Sequence, residues 1–157
     1  RQSIRIFLTK LAPMTLALMT MMQGKNDWFW WGVRVYYEDT DAGGIVYNAN
    51  YLRFFERART EWLRALGLEH KAMERDHGLQ LVLSRADIRF RAPARLDDEL
   101  SVGVALARLR RASLNLDQQA RLLDGKVLCT GTVQVACVDV LEQRPRPFPQ
   151  TFLGVLA

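Results

Sequence analysis

The sequence predicts an α+β fold, in which one antiparallel β-sheet packs against a single long α-helix. The main observation is the order of patterns, because one amphipathic helical segment precedes a run of strand-like segments joined by short turns. A parallel sheet would instead need a helix or another long crossover between successive strands. The 157 residues are most simply one domain, and the helix is apolar enough that a curved sheet wrapped around it would bury it well.

The first strand is predicted over residues 28–39, WFWWGVRVYYED, which are rich in aromatic and β-branched residues. Gly43 and Gly44 follow it, and adjacent glycines supply a backbone freedom that no strand needs. We therefore expect the extended chain to break at this point and to turn towards the helix.

The long helix is predicted from residue 50 to residue 66, a span of about four turns. Asn48 or Asn50 is the expected N-cap, and Gly67 is expected to end the helix. The apolar residues recur at steps of three and four, which predicts one broad buried face: Tyr51, Phe54, Phe55, Ala58, Trp62 and Leu66.

The rest of the chain is predicted to be β-structure after a short helix over 69–77 and a stop at Gly78. Apolar and charged residues alternate over 85–91, as expected of a strand with one buried face. Two further strands follow, and the pair Asp124-Gly125 is a hairpin signal before the last strand.

The domain is predicted to span residues 27–150, because the proline-rich stretch 144–150 closes the last strand. Residues 151–157 are then predicted as a C-terminal tail. Residues 1–26 are predicted to be an N-terminal extension outside the domain, with anchoring at a membrane surface as the alternative for this segment.

The composition of the chain narrows the classes of ligand and partner that the protein can be expected to bind. The net charge of +5 suits an anionic ligand, whereas the chain lacks the sequence signatures of nucleic-acid-binding folds, so no nucleic-acid partner is expected. Cys129 and Cys137 lie eight residues apart in one strand-like run and are expected to be reduced thiols in a cytoplasmic protein. His70 and His77 are the only histidines and have no ligand pattern around them, so no metal site is expected.

The stretch YYEDTDAGGIVYNANY, residues 36–51, places three acidic residues before the glycine pair. Asp41 has two readings on position alone: a side chain that closes a turn, or a catalytic carboxylate. Asp39 is interpreted as a turn or capping residue. Tyr37 would share a strand face with Asp39 and Asp41 if the strand remained extended, which makes it a pocket residue or, equally, a core aromatic.

Several blocks of this chain resemble the Tol-Pal-associated acyl-CoA thioesterases, which belong to the 4-hydroxybenzoyl-CoA thioesterase-like branch of the hotdog fold. The blocks are VRVYYEDTDAGGIVYNANYLRFFERARTEWLR (33–64), APARLDDEL (92–100), RLRRASL (108–114) and VACVD (135–139). The resemblance covers roughly residues 28–150 and implies a hotdog fold, with the sheet wrapped around one central helix.

The resemblance also implies a site. Asp41 matches the catalytic aspartate, and the backbone N–H of Asn48 matches the group that faces the thioester carbonyl at the helix start. Members of the family usually carry histidine where this chain has Asn48. Glu56 is the rival carboxylate, because another hotdog branch uses a helix glutamate, but a polar helix edge near Arg59 and Thr60 explains Glu56 better.

Further site residues complete the prediction. Tyr37 is assigned to the catalytic group, and Gly44 and Tyr47 are assigned to substrate contact, because the glycines let an acyl chain approach the backbone. The family's phosphate-binding position matches Arg110 and Arg111, with Ser113 as an additional hydroxyl contact.

The predicted activity is hydrolysis of an acyl-CoA or acyl carrier protein thioester, with Asp41 as nucleophile or general base and no cofactor. The alternative is a weakly active hotdog scaffold that binds acyl-CoA or acyl carrier protein at the cell envelope. By resemblance the chain forms a homodimer or homotetramer whose sites use residues from a neighbour. Peripheral association with the inner membrane is a further expectation.

Overall fold

A computed structural model describes residues 27–157 as one antiparallel sheet with helices packed against it. The predicted extension, residues 1–26, lies outside the described residues. The order of elements confirms the predicted α+β arrangement of one long helix followed by four long strands. The strands are β1 (Phe29–Arg34), β2 (Leu79–Phe90), β3 (Glu99–Leu109), β4 (Ser113–Leu122) and β5 (Val127–Asp139), and the helices are α1 (Asn48–Ala65), α2 (His70–His77) and α3 (Gln150–Leu156).

The strand order in the sheet is β1-β3-β4-β5-β2, and every neighbouring pair is antiparallel. Helix α1 contacts β1, β3 and β4, so it lies across one face of the sheet. Its buried face joins the alternate inward side chains of the strands in a single core. The largest fully buried side chains of that core include Phe54, Phe55, Leu100, Leu116 and Phe152.

Strand β1 is shorter than the sequence predicted. It ends at Arg34, and residues Tyr37–Asp39 form a single 3-10 turn instead of continuing the strand. The physical cause is the Asp39 carboxylate, whose Oδ2 accepts the backbone N–H of Tyr36 at 2.8 Å and so curls the chain. Aromatic residues alone had favoured extended backbone to residue 39.

Helix α1 begins two residues before its predicted start, and neither asparagine is its N-cap. Tyr47 holds that position without a side-chain hydrogen bond. Gly67 ends the helix as predicted, with a φ of 75° that a residue with a side chain rarely adopts. The short helix before Gly78 is also confirmed.

The segment predicted as a tail, 151–157, is largely the short helix α3. Phe152 is 1% exposed, and its ring stacks on Phe148 at a centroid distance of 4.4 Å. Strand β5 already ends at Asp139, before the prolines, and the packed core continues beyond them because this aromatic pair docks the chain onto it.

Candidate active site

Asp41 lies in a tight turn directly before α1. Its backbone N–H donates to the Ile45 carbonyl at 3.0 Å, and its own carbonyl accepts the Gly44 N–H at 2.9 Å. Carboxylate atom Oδ1 accepts the Gly43 N–H at 2.8 Å, so the side chain also makes an Asx turn. Gly44 has a φ of 72°, which favours glycine, and a Cβ at Gly43 would lie 3.0 Å from Asp41 Oδ1, so a larger residue there would press on the carboxylate.

The Asp41 carboxylate is exposed although one of its oxygens is engaged in the turn. A carboxylate has capacity for several hydrogen bonds, so the remaining positions can meet a water or a carbonyl carbon. The turn interpretation of Asp41 is therefore correct as local structure, and it is compatible with a chemical role. That role stays a prediction.

Asp39 and Asn50 hold this turn against the helix, and the sequence did not reveal their pairing. Asp39 is buried, and its Oδ1 accepts the side-chain N–H of Asn50 at 2.9 Å. The Asp39 carbonyl also accepts the Tyr47 N–H at 2.8 Å. Asp39 thus caps the 3-10 turn, as interpreted, and in addition ties the loop to the third residue of α1.

The start of α1 offers two free backbone donors. The N–H groups of Asn48 and Ala49 belong to the first turn, where no carbonyl four residues earlier can receive them. Neither group is paired with another backbone atom within residues 27–157. The N–H of Tyr47 is not a third free donor, because it already binds the Asp39 carbonyl. The Tyr47 side chain is 50% exposed beside the turn.

Tyr37 does not share a strand face with Asp41. It lies in the 3-10 turn with its side chain 81% exposed, and its carbonyl accepts the Thr40 N–H at 3.1 Å. The premise that favoured Tyr37 was an extended chain, and that premise is wrong. The assignment of Tyr37 to the catalytic group has no support in this geometry.

The predicted phosphate-binding residues lie at the far end of the sheet from Asp41. Arg110 and Arg111 form the turn between β3 and β4, and Ser113 begins β4. Across the sheet, Ser113 lies level with Val82 of β2, with one residue of β5 between them. The other end of β4 lies level with Phe90, at the end of β2.

Phe90 marks the end of the sheet at which α1 begins, because its ring lies 5.7 Å from that of Tyr51 in the first turn. Seven strand residues separate Ser113 from Ala120, which corresponds to roughly 23 Å. One chain therefore does not bring Arg110, Arg111 and Ser113 together with Asp41.

Arg110 instead lines a groove of about 710 Å³ on the outer face of the sheet, opposite α1. Arg85, Arg89 and Arg91 from the edge strand β2 line the same groove, and Arg111 does not. Asp87 and Asp117 line the groove as well, and Arg89 Nε lies 3.8 Å from Asp87 Oδ1, so the positive charge of the groove is partly balanced.

Glu56, the rival carboxylate, lies two turns into α1, and its carboxylate already accepts a hydrogen bond from a neighbouring side chain. The Thr60 hydroxyl donates to Glu56 Oε1 at 2.9 Å and lies 3.4 Å from His70 Nε2. Desolvation is the largest cause that lowers the pKa of His70, and it also lowers the pKa of Arg59. The polar helix edge that the sequence suggested around Glu56 is present.

Within residues 27–157, no group of three or more His, Cys, Asp or Glu side chains is arranged to hold a metal ion. In the same part of the chain, no helix is long and apolar enough to cross a membrane. Cys129 and Cys137 are both buried free thiols, and burial raises the pKa of Cys129 to about 12.

The comparison with known proteins assigns the family. A sequence model of the thioesterase-like superfamily matches residues 35–156. This chain belongs to that superfamily. The predicted hotdog fold and the predicted class of enzyme, a thioesterase, are thereby confirmed.

Individual relatives agree with the family. The chain is 41% identical over 126 residues to the acyl-CoA thioester hydrolase YbgC of Escherichia coli O6:H1, covering 80% of this chain and 93% of that protein. It is 43% identical over 118 residues to the acyl-CoA thioesterase YbgC of Haemophilus influenzae, covering 75% of this chain and 86% of that protein.

Solved structures show the same likeness. A probable thioesterase from Bartonella henselae superposes with a TM-score of 0.73 at 33% identity, over 78% of this chain and 99% of that one. The 1,4-dihydroxy-2-naphthoyl-CoA thioesterase of Synechocystis gives a TM-score of 0.76 at 25% identity, over 82% of this chain and 95% of that one.

Proposed function

We propose that this protein hydrolyses acyl-CoA thioesters, with Asp41 and the start of α1 as the two halves of the site. The observation that carries the proposal is the placement of an exposed carboxylate in a rigid turn that leads into a helix start with two free N–H groups. The relatives named acyl-CoA thioester hydrolase support the substrate class.

The N–H groups of Asn48 and Ala49 are the proposed donors to the thioester oxygen. Charge develops on that oxygen when the carbonyl carbon becomes tetrahedral, and the positive end of the helix dipole stabilises it. This role uses the backbone alone, so asparagine at position 48 can serve where relatives of the family usually have histidine.

Asp41 acts in one of two ways. As a nucleophile it bonds to the acyl carbon, the carbon–sulfur bond breaks, and water then cleaves the anhydride. As a general base it takes a proton from water, whose oxygen bonds to the acyl carbon while coenzyme A leaves as the thiolate. Both routes consume one water and release the free acid and coenzyme A.

Asp41→Asn tests the proposal in an assay of free thiol release. Asparagine can still accept the Gly43 N–H, so the turn is preserved while the charge is removed. We expect kcat to fall by about 10²–10⁴-fold, the usual contribution of an acid–base group. Glu38→Gln, which neutralises an exposed acid three residues away, is the matched control and should retain activity.

Equal rates for wild type and Asp41→Asn would remove Asp41 from the mechanism. Tight binding of coenzyme A without thiol release from any acyl-CoA or acyl carrier protein would favour the alternative, a hotdog scaffold. Label in the Asp41 carboxylate after a single turnover in isotopically labelled water would establish the nucleophilic route, because the general-base route puts all of the label into the released acid.

We further propose that the site is completed by a second copy of the chain. Strand β2 has twelve residues, pairs within residues 27–157 with β5 on one side only, and exposes Val82 and Leu83. Long unpaired edge strands with apolar side chains favour pairing with another strand.

Antiparallel pairing of two β2 strands about a two-fold axis reverses the partner sheet. The end that carries Arg110 and Arg111 in one copy then lies at the same end as Asp41 in the other. Such a dimer accounts for the separation of these groups within one chain, and a tetramer of two dimers is compatible with it.

The setting in the cell is also a proposal. Two buried cysteines without a disulfide support a reducing compartment, namely the cytoplasm. Acyl carrier protein as a second donor of acyl groups, association with the Tol-Pal system and peripheral contact with the inner membrane rest on the resemblance of the motifs alone.

A further inference from the structure

An apolar strip follows the unpaired edge of β2, between that strand and α1. Phe90 lies at its start against Tyr51, in the first turn of the helix, and Leu83 lies near its other end. Three side chains of the strip are unusually exposed for their size: Phe90 at 57%, Leu83 at 41% and Leu52, from α1, at 38%. The strip begins at the free N–H groups of Asn48 and Ala49.

The strip ends in a cavity of about 180 Å³ between α1, α2 and β2. Three of its polar lining residues already have hydrogen-bond partners, since Thr60 donates to Glu56 at 2.9 Å and Arg59 donates to Gln118, which lies outside the lining, at 2.8 Å. His70 is the fourth polar residue of the lining, and the rest of the lining is apolar: Trp62, Leu63, Leu81, Leu83, Leu114, Leu116 and Val135.

The distance from the helix start to this cavity corresponds to the length of an acyl chain. Glu56 and Thr60 follow Asn48 by eight and twelve residues, which is about 12 and 18 Å along a helix. An extended chain advances ~1.2 Å per bond, because three backbone bonds cover about 3.5 Å. About ten to fifteen bonds therefore separate the thioester carbon from the cavity.

We propose that the cavity receives the far end of a straight acyl chain, so that the preferred substrates carry about ten to fifteen carbons. The proposal rests on the proposed function, because it places the thioester at the start of α1. A short or bulky aromatic acyl group would leave the cavity empty. Each methylene that enters such a largely apolar space improves binding by up to about fourfold.

A second copy of the chain is the competing occupant of the strip. Pairing of two β2 edges would cover the strip from outside and turn it into a tunnel, which is compatible with an acyl chain inside. The cavity is far too small to admit a helix or strand. If side chains of the second copy fill it, the protein will show no dependence on chain length.

The test is to fill the cavity from its rim. Thr60 is half-buried, so Thr60→Phe can project into the cavity without replacing a core residue, and Thr60→Val is the matched control that keeps the volume and loses the hydroxyl. We expect wild type to show a higher kcat/KM for C14 than for C6 acyl-CoA. Thr60→Phe should lower the C14 to C6 ratio about tenfold or more, while Thr60→Val preserves it.

Arg57→Phe adds the same ring to an exposed position of α1 and should leave the chain-length profile unchanged. If Thr60→Phe does not fold, Leu81→Phe fills the same cavity from the strand. A wild-type profile that is flat from C6 to C14, or a ratio that Thr60→Phe leaves intact, would overturn the proposal. Loss of activity on all chain lengths in Thr60→Val would also overturn it and would indicate that Glu56 takes part in the chemistry.

Binding of the free acids separates this inference from the proposed function. Tetradecanoic acid should bind wild type more tightly than hexanoic acid by calorimetry, and Thr60→Phe should remove most of the difference. If no acyl-CoA releases thiol but this difference holds, the proposed function fails and the cavity assignment stands. Equal affinities for the two acids would contradict the cavity assignment whatever the activity.

Discussion

The hydrogen bond between Asp39 and Asn50 is expected to determine both the stability of the protein and the position of Asp41. Asp39 is 4% exposed and Asn50 is 5% exposed, and the carboxylate accepts from the Asn50 side chain at 2.9 Å and from the Tyr36 N–H at 2.8 Å. Because water does not reach this pair, a partner that is removed is not replaced.

Asn50→Ala leaves one oxygen of a buried carboxylate without its donor. We expect the free energy of unfolding to fall by about 1.5–3 kcal/mol, the range for hydrogen bonds to a charged group. Asp39→Ala should cost more, about 3 kcal/mol or above, because it leaves both the Tyr36 N–H and the Asn50 amide unpaired. The double variant should be less destabilised than the sum of the two, by about 1 kcal/mol or more.

Urea unfolding of the two single variants and the double variant measures this coupling, and thiol release measures the effect on the site. We expect kcat to fall in both single variants, since the loop that carries Asp41 loses its link to α1. Asn48→Ala is the control for stability, because its side chain is exposed and makes no hydrogen bond, so it should change stability by less than ~0.5 kcal/mol. Strict additivity of the two single losses would refute the reasoning.

The remaining predictions concern the C-terminal helix α3 and the edge strand β2. Phe152→Ala should lower the free energy of unfolding by about 3–5 kcal/mol in urea denaturation, because the ring is 1% exposed and stacks on Phe148; a loss below 1 kcal/mol would mean that α3 does not belong to the core. Leu83→Lys on the edge of β2 should convert a sedimenting dimer into a monomer, whereas Leu123→Lys, equally apolar but on the β4–β5 turn, should not. A wild-type protein that sediments as a monomer at every concentration would exclude the proposed pairing.

Most of the architecture could be predicted because it follows from periodicity. The three- and four-residue steps of α1, the alternation in β2 and the turn at Asp124-Gly125 each express a local geometry that a few neighbouring residues determine. The failures also have local causes. Strand β1 stops at Arg34 because the hydrogen bond from the Tyr36 N–H to the Asp39 carboxylate outweighs the strand preference of aromatic residues.

The sequence predicted the two groups proposed to act on the thioester, but it did not predict the contacts that hold them in place. The acidic turn and the helix start are adjacent in sequence, so Asp41, Gly44 and Asn48 could be assigned to one place from the motif. Asp39 and Asn50 gave no signal of their pairing, since a buried acid and a buried amide eleven residues apart look like ordinary loop and cap residues until the loop is folded onto α1.

The sequence by itself therefore determined the class of fold, the thioesterase family and the turn that presents Asp41, because these depend on short-range patterns and on a contiguous motif. Only the tertiary structure placed Arg110 and Arg111 at the opposite end of the sheet from Asp41, and only it revealed the cavity between α1, α2 and β2. Those features arise from strand register and from packing between distant segments. No local pattern encodes them, since each strand residue acquires its position from partners that lie tens of residues away.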